Sequence, residues 1–280
     1  MNQLLAQKRD ALLDLLRDCG RVVVAFSGGV DSAVVARAAA LACGEKAVAV
    51  TALSPSLARG ELEQARRIAD LIGIRHVVVR TDEFEQKDYV KNSGDRCYYC
   101  KSELYLRMDQ LVDSQEYDVI VNGANADDTG DYRPGMRAAR ERAVRSPLIE
   151  AGLSKAEVRE LARGWELPVW DKPATPCLSS RIAYGVEVTP ERVARVDQAE
   201  CFLREKFGLR ELRVRLEQNE FARIELPASE IHRLADPKAR EAVVDELLKL
   251  GFRYVTLDLQ GFRSGSMNEA LPMVETIDLS

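Results

Sequence analysis

The sequence predicts an α/β protein: a doubly wound parallel sheet over residues 1–184, then a smaller α+β domain over 185–280. Three observations carry this expectation. Short apolar runs at 22–26, 47–53 and 75–80 alternate with segments of helical spacing, as buried parallel strands do when crossover helices join them. A glycine turn, Gly28-Gly29, joins the first run directly to an alanine- and valine-rich helix. After Gly185 the alternation stops and a helix, short strands and further helices follow.

Leu4, Leu5, Leu12, Leu15 and Leu16 recur at helical spacing, and Gly20 closes this first helix. The first strand runs into Ser-Gly-Gly-Val-Asp-Ser at 27–32. A strand, a glycine turn and a helix start make an anion site, because the first amides of a helix lack partners and the dipole is positive there. Gly28 and Gly29 let the backbone turn sharply and approach a ligand, and Ser27 and Ser32 add hydroxyl donors. Asp31 caps the helix or holds a metal that bridges phosphate oxygens. No lysine follows, so this is not the GxxxxGK[ST] loop. The second strand, 47–53, ends at Ser54-Pro55. Ligands of open parallel sheets lie at the carboxyl ends of strands, which puts Thr51 near the base of a nucleotide held by 27–32. An ordinary strand-to-helix turn is the equal alternative. Residues 58–72 form a helix stopped by Gly73, and 75–80 a third strand.

Residues 82–96 have weak periodicity and end in a loop signal, Asn92-Ser93-Gly94-Asp95. Cys97 and Cys100 follow as C-x-x-C at a helix start, which brings two thiols together and favours their thiolates. The pair suits a metal, a cluster or a redox couple, and a tetrahedral site would need further ligands from elsewhere. Two buried small hydrophobes are the alternative. A fourth strand at 117–121 leads into a loop with Asp127, Asp128 and Asp131, which bind Mg²⁺ near ATP or cap turns. Arg133 and Arg137 meet phosphate or only water. Ser154 and Glu157 form a capping box for the next helix. The segment 170–181, WDKPATPCLSSR, has two prolines and a cysteine, Cys177, flanked by hydroxyls and Arg181. A neighbouring guanidinium favours a thiolate, so Cys177 is the candidate nucleophile, sulfur donor or third cluster ligand.

In the second domain Thr189 caps a helix with Pro190 at its first position. Strands follow at 209–216 and 221–226, a helix at 231–250 broken near Asp236-Pro237, and strands at 254–259 and 273–277. Arg213 and Arg215 alternate, so they share one strand face. Two arginines side by side invite a phosphate, and a solvated face paired with Glu211, Glu217 and Glu225 is the plainer reading.

A formal net charge of −5 argues against a surface built for long nucleic acid. No apolar run is long enough to span a bilayer, and the amphipathic N-terminus carries acids, unlike a signal peptide. Cytoplasmic residence is the expectation. There the six cysteines stay reduced, and their grouping points to metal or chemistry before disulfides.

The string SGGVDS after a strand resembles the pyrophosphate loop (PP-loop) of the N-type ATP pyrophosphatases, which split ATP between its α and β phosphates and adenylate a substrate. Together with RCYYCK, NGANADDTGDYRPG, the segment around PATPCLSSRIAYG, and RVRL followed by ARIEL, the whole chain resembles the LarE-type ATP-dependent sulfur transferases. Such enzymes adenylate a carboxylate of pyridinium-3,5-biscarboxylic acid mononucleotide and convert it to a thiocarboxylate, a step towards the nickel-pincer nucleotide cofactor. The resemblance implies that Ser27, Gly28, Gly29, Asp31 and Ser32 hold the ATP phosphates and that Cys177 is the sulfur-transfer cysteine. It implies that Ser180 and Arg181 bind the adenylate or substrate, and that Arg213 and Arg215 take the substrate phosphate. It also implies ATP, Mg²⁺ and a sulfide source as reactants, and a homo-oligomer with a hexamer as the expected size.

The number of cysteines divides the mechanism. Family members with only the Cys177 equivalent sacrifice its sulfur and leave dehydroalanine. Members that also have the equivalents of Cys97 and Cys100 resemble enzymes in which three thiolates hold a [4Fe-4S] cluster, leaving one iron open to an extra sulfide. Rival readings are a tRNA thiolase, an amidating ligase with no use for the cysteines, and a non-catalytic ATP-binding module. His76 and His232 are expected to be structural, and Cys19, Cys43 and Cys201 to be packing residues.

Overall fold

A computed structural model describes residues 2–113, 116–130 and 134–263. Asp131, Arg133 and the expected last strand at 273–277 lie outside the described residues. In chain order the elements are α1 (Gln3–Asp18), β1 (Val22–Ala25), α2 (Val30–Cys43), β2 (Ala47–Leu53), α3 (Glu61–Ile72) and β3 (Arg75–Arg80). Next come α4 (Lys87–Val90), α5 (Arg96–Asp113), β4 (Val119–Val121), α6 (Pro134–Glu141), α7 (Pro147–Glu150) and α8 (Lys155–Gly164). The chain continues with α9 (Pro190–Phe207), β5 (Arg213–Glu217), β6 (Phe221–Glu225), α10 (Ile231–Ala235), α11 (Pro237–Lys249) and β7 (Tyr254–Leu257).

These elements form two compact units. The first comprises 1–86 and 95–175, the second 87–94 and 176–280. The first is the expected α/β layer structure: a four-stranded, all-parallel sheet in the order β3-β2-β1-β4. Alternation along the strands builds two cores. Val22 and Val24 pack with α1, α2, α3 and α8 on one face, while Val23 and Ala25 pack with α5 and α6 on the other. Full burial of such a valine stabilises by about 1.5–3 kcal/mol, so a one-residue slip of β1 is strongly disfavoured. The strand order reverses between β2 and β4, on either side of β1, and the turn that leaves β1 therefore lies at the switch point where such sheets bind ligands.

Element ends follow local chemistry. The third helix starts at Glu61, three residues later than 58–72 predicts, because Gly60 takes a left-handed conformation at its cap. The capping box of α8 is made: Ser154 Oγ accepts from Glu157 N, and the Glu157 carboxylate accepts from Ser154 N. Asp236 caps α11 and causes the break between α10 and α11.

The second unit contains a mixed sheet, β5-β6 antiparallel and β6-β7 parallel. The boundary falls after Thr175, against the expected start at Gly185, and the segment 87–94 joins this unit. Asn92 explains the latter. Fully buried at φ 57°, it donates through Nδ2 to the carbonyls of Ala183 and Val186, each at 2.8 Å. Tyr89 Oη meets Ser179 Oγ at 2.7 Å. These are long-range contacts, and the local pattern of 82–96 reads only as a loop.

Candidate active site

The turn at 27–32 is shaped by contacts that only glycine permits. Gly28 has φ +72°, and a Cβ there would meet the backbone of Ala65 at 3.1 Å. Gly29 caps α2 without a side-chain hydrogen bond, so the helix amides of Val30, Asp31 and Ser32 precede the first intrahelical bond, Ala33 N to Gly29 O. Ser27 Oγ and Ser32 Oγ meet at 3.1 Å, and Ser32 Oγ donates to Gly29 O at 3.1 Å. Ser27 is exposed and Ser32 buried, so the inner hydroxyl braces the turn and the outer one faces solvent.

Around this loop the structure gathers Lys155, for which the sequence predicts no site role, with residues of the 122–128 stretch. Lys155, the first residue of α8, is ion-paired to Asp31 Oδ2, and Asn125 Nδ2 donates to Asp31 Oδ1 at 3.1 Å. Asp127 Oδ2 accepts from Lys155 N at 2.9 Å and so joins Ser154 in capping α8, while Asp128 Oδ2 accepts from Asn125 N at 3.0 Å. Gly123 is required by packing, since a Cβ there would lie 2.8 Å from Ser32 N. The local signals for these residues are the Asn-Gly dipeptide and acidic loop after β4 and, for Lys155, only its place directly after a helix cap. Thr51 is buried: its hydroxyl donates to Phe26 O at 2.7 Å and meets His76 Nε2 at 2.8 Å. The Thr51 side chain thus fastens β1 to β2 and β3, and His76 has the structural place expected of it.

Cys97 and Cys100 sit in the first turn of α5, three residues apart and therefore on one helix face. Cys97 is exposed and Cys100 half-buried. The turn is tightly backed: a Cβ on Gly135 would meet Lys101 Cγ at 3.1 Å, and Arg137 stacks over Tyr98 at 4.0 Å. Cys19 and Cys43, by contrast, are half-buried, and burial raises both thiols above their ordinary pKa. Among the described residues no three His, Cys, Asp or Glu side chains gather where they would hold a metal ion.

Within the second unit the Cys177 segment and the arginine pair form one network. Cys177 is exposed, but its carbonyl is held by Ser180 Oγ at 2.7 Å and by Arg181 Nη1 at 3.1 Å. Arg181 also donates to Pro176 O and pairs with Glu200, at 3.0 Å from Nε to Oε1, with both side chains 1% exposed. The guanidinium therefore shapes the backbone around the thiol. Burial would raise the Glu200 carboxyl, but Arg181 and Arg204 hold it below its ordinary pKa. Glu200 has no sequence signal beyond being a carboxylate on the buried face of α9.

Arg213 and Arg215 are both buried, so the solvated-face reading does not describe them. Arg215 pairs with buried Glu225 at 2.8 Å and donates from Nη1 to Ser180 O at 2.9 Å, which ties strand β5 to the Cys177 segment. Arg213 stacks over Phe262 at 5.0 Å. Burial, with Arg181 and Arg215 nearby, lowers its pKa to about 10. A buried guanidinium so disfavoured by its neighbours is one that a bound anion would relieve.

The asparagine synthase family model matches residues 4–166. The chain is 46% identical over 268 residues to an uncharacterised protein of Synechocystis, covering 96% of this chain and 99% of that one. It is 39% identical over 270 residues to pyridinium-3,5-bisthiocarboxylic acid mononucleotide synthase of Lactiplantibacillus plantarum, covering 95% and 96%. It is 26% identical over 200 residues to a glutamine-hydrolysing GMP synthase chain of Methanocella arvoryzae, covering 67% and 65%. No helix among the described residues is long and apolar enough to cross a membrane.

Proposed function

Because this chain belongs to the LarE-type ATP-dependent sulfur transferases of the PP-loop ATP pyrophosphatase class, we propose that it converts a carboxylate of pyridinium-3,5-biscarboxylic acid mononucleotide to a thiocarboxylate. The observation that carries the reading is the network of the second unit. An exposed thiol, Cys177, sits on a backbone clamp that shares Arg181, Ser180 and Arg215 with a buried arginine pair.

The roles follow from chemistry. The turn 27–32 and the first amides of α2 hold the triphosphate. A substrate carboxylate oxygen attacks the α phosphorus and pyrophosphate leaves, which replaces a poor leaving group by AMP. Lys155 offsets charge on the departing phosphates. Mg²⁺ would supply Lewis-acid neutralisation when bound; Asp31, with the phosphates themselves, would hold it, as a hard cation bound through one or two carboxylates requires. Arg213 and Arg215 hold the substrate phosphate. A sulfur nucleophile then attacks the acyl carbon, and AMP departs with the original oxygen. The protein would act in the cytoplasm as a homo-oligomer on a small molecule, with a sulfide source and without nucleic acid.

The sulfur source has two readings. In the first, Cys97, Cys100 and Cys177 would hold a [4Fe-4S] cluster; thiolates are the right donors, and such a cluster would bring an extra sulfide to the activated acyl group. In the second, favoured by the exposure of Cys177 on its own loop, Cys177 Sγ itself attacks. The resulting thioester loses its product when the Cβ–S bond breaks and the α proton leaves, so dehydroalanine remains. Anaerobic protein with the biscarboxylate mononucleotide, ATP, Mg²⁺ and sulfide should give thiocarboxylate by mass spectrometry. Cys177→Ser should abolish it while pyrophosphate release persists. Catalytic turnover lost in Cys97→Ser and Cys100→Ser supports the cluster. One product per chain, with sulfur lost from Cys177, supports sacrifice. Absence of thiocarboxylate under both regimes overturns the proposal.

A further inference from the structure

We propose that Lys172 is a positioning residue for sulfur transfer, the anchor of the segment that delivers Cys177; this rests on the function proposed above. Lys172 Nζ donates to Glu61 Oε2 and to Gln64 Oε1, each at 2.7 Å, and its side chain is 17% exposed. Both acceptors lie in the first turn of α3. Directly after them, Ala65 is the residue whose backbone closes on Gly28 of the phosphate loop. The anchor therefore grips the same helix that backs the phosphate site.

A second contact holds the same stretch. Arg159 on α8 donates to Trp170 O at 2.6 Å and to Lys172 O at 2.9 Å, and Lys172 N donates to Val169 O at 3.1 Å. Residues 169–172 are thus fixed to α3 and α8 within the first unit. In the second unit the carbonyls of Pro176 and Cys177 are fixed by Arg181. Between these clamps lie Pro173, Ala174 and Thr175, all exposed. Five residues of chain from Lys172 to Cys177 reach at most about 18 Å, and prolines at 173 and 176 restrict that reach further. A tether this short limits how far the thiol can lie from its anchor. A lysine whose ammonium satisfies a carboxylate and an amide on one helix is a specific anchor, whereas a merely solvated loop needs none.

The inference separates two half-reactions. Adenylation requires the phosphate loop and the substrate, and sulfur transfer requires the thiol to arrive. In Lys172→Met, pyrophosphate release with substrate present should stay within about twofold of wild type, while thiocarboxylate formation falls at least tenfold, since small misplacements of a reacting group cost that much. Glu61→Gln should show a weaker form of the same split. The double variant Lys172→Glu with Glu61→Lys should recover part of the loss. Hydrogen exchange at the amides of Trp170 and Lys172 should rise several-fold in Lys172→Met, a readout that needs no activity. Equal loss of both half-reactions, an unchanged thiocarboxylate rate, or unchanged exchange overturns the anchor. Wild-type protein that makes no thiocarboxylate overturns the function instead, and the exchange measurement still decides whether Lys172 holds the segment.

Discussion

Lys155 and Asp31, 124 residues apart in the chain, form an ion pair at the mouth of the phosphate loop. The pair solves an electrostatic difficulty. Asp31 lies in the turn proposed to receive a triphosphate, and an unbalanced carboxylate there would repel it. The start of α8 supplies the positive charge that the loop itself lacks.

Replacing Lys155 by Met should raise the Michaelis constant for ATP and slow pyrophosphate release, about tenfold or more in kcat/KM. Both side chains are about a quarter to a third exposed, so the pair adds roughly 1 kcal/mol or less to stability. The melting temperature should therefore stay near wild type, and steady-state kinetics with a thermal melt separate the two effects.

Gly123→Ala tests the closeness of β4 to the phosphate loop. The added methyl would meet Ser32 N at 2.8 Å, a backbone contact that cannot swing away. Overpacking of this kind costs about 1–3 kcal/mol. ATP affinity should fall with stability, read by calorimetry and denaturant melts. Gly164→Ala, where the methyl meets nothing within 4 Å, should leave both unchanged or slightly raise stability.

The Arg181–Glu200 pair should behave as a buried structural pair. Arg181→Met takes one of two guanidinium partners from a carboxylate with 1% exposure and leaves Arg204, so it should destabilise by less than the roughly 3–5 kcal/mol of a fully orphaned buried charge. Combining it with Glu200→Met should destabilise by less than the sum of the single variants. Additive losses in urea melts would mean that the two residues act independently.

His76 gives the first unit a pH dependence. Burial, helped by the charge of Arg66, lowers its pKa below the ordinary 6.5, so the folded state keeps the ring neutral. Above pH 6.5 both states are neutral and stability is flat. Below it the unfolded chain takes the proton first, and stability falls as pH drops until the folded ring also protonates. Melting temperatures between about pH 7.5 and 5.5 should show this decline, and His76→Gln, which preserves a donor to Thr51, should flatten it.

Much of the fold is legible in the sequence because its signals are local. Strand β1 is an unbroken valine run, the phosphate turn follows it without a gap, and Ser154 with Glu157 spells out a capping box. Of the site, the loop 27–32 and the pairing of Arg213 with Arg215 on one face could be read the same way. Lys155, Asn125, Glu200 and Lys172 could not, since each acts on a residue more than ten positions away and looks like any surface polar residue along the chain.

Periodicity and turn chemistry thus decided which segments are strands and helices and where an anion would sit, because those depend on neighbours within about one helical turn. Packing decided the rest. It put Thr51 inside, moved residues 87–94 to the second unit through Asn92, and set Arg181 as a brace of the Cys177 backbone. The reason is that burying a charge or an amide demands a partner, and where that partner lies along the chain is set only when the elements come together.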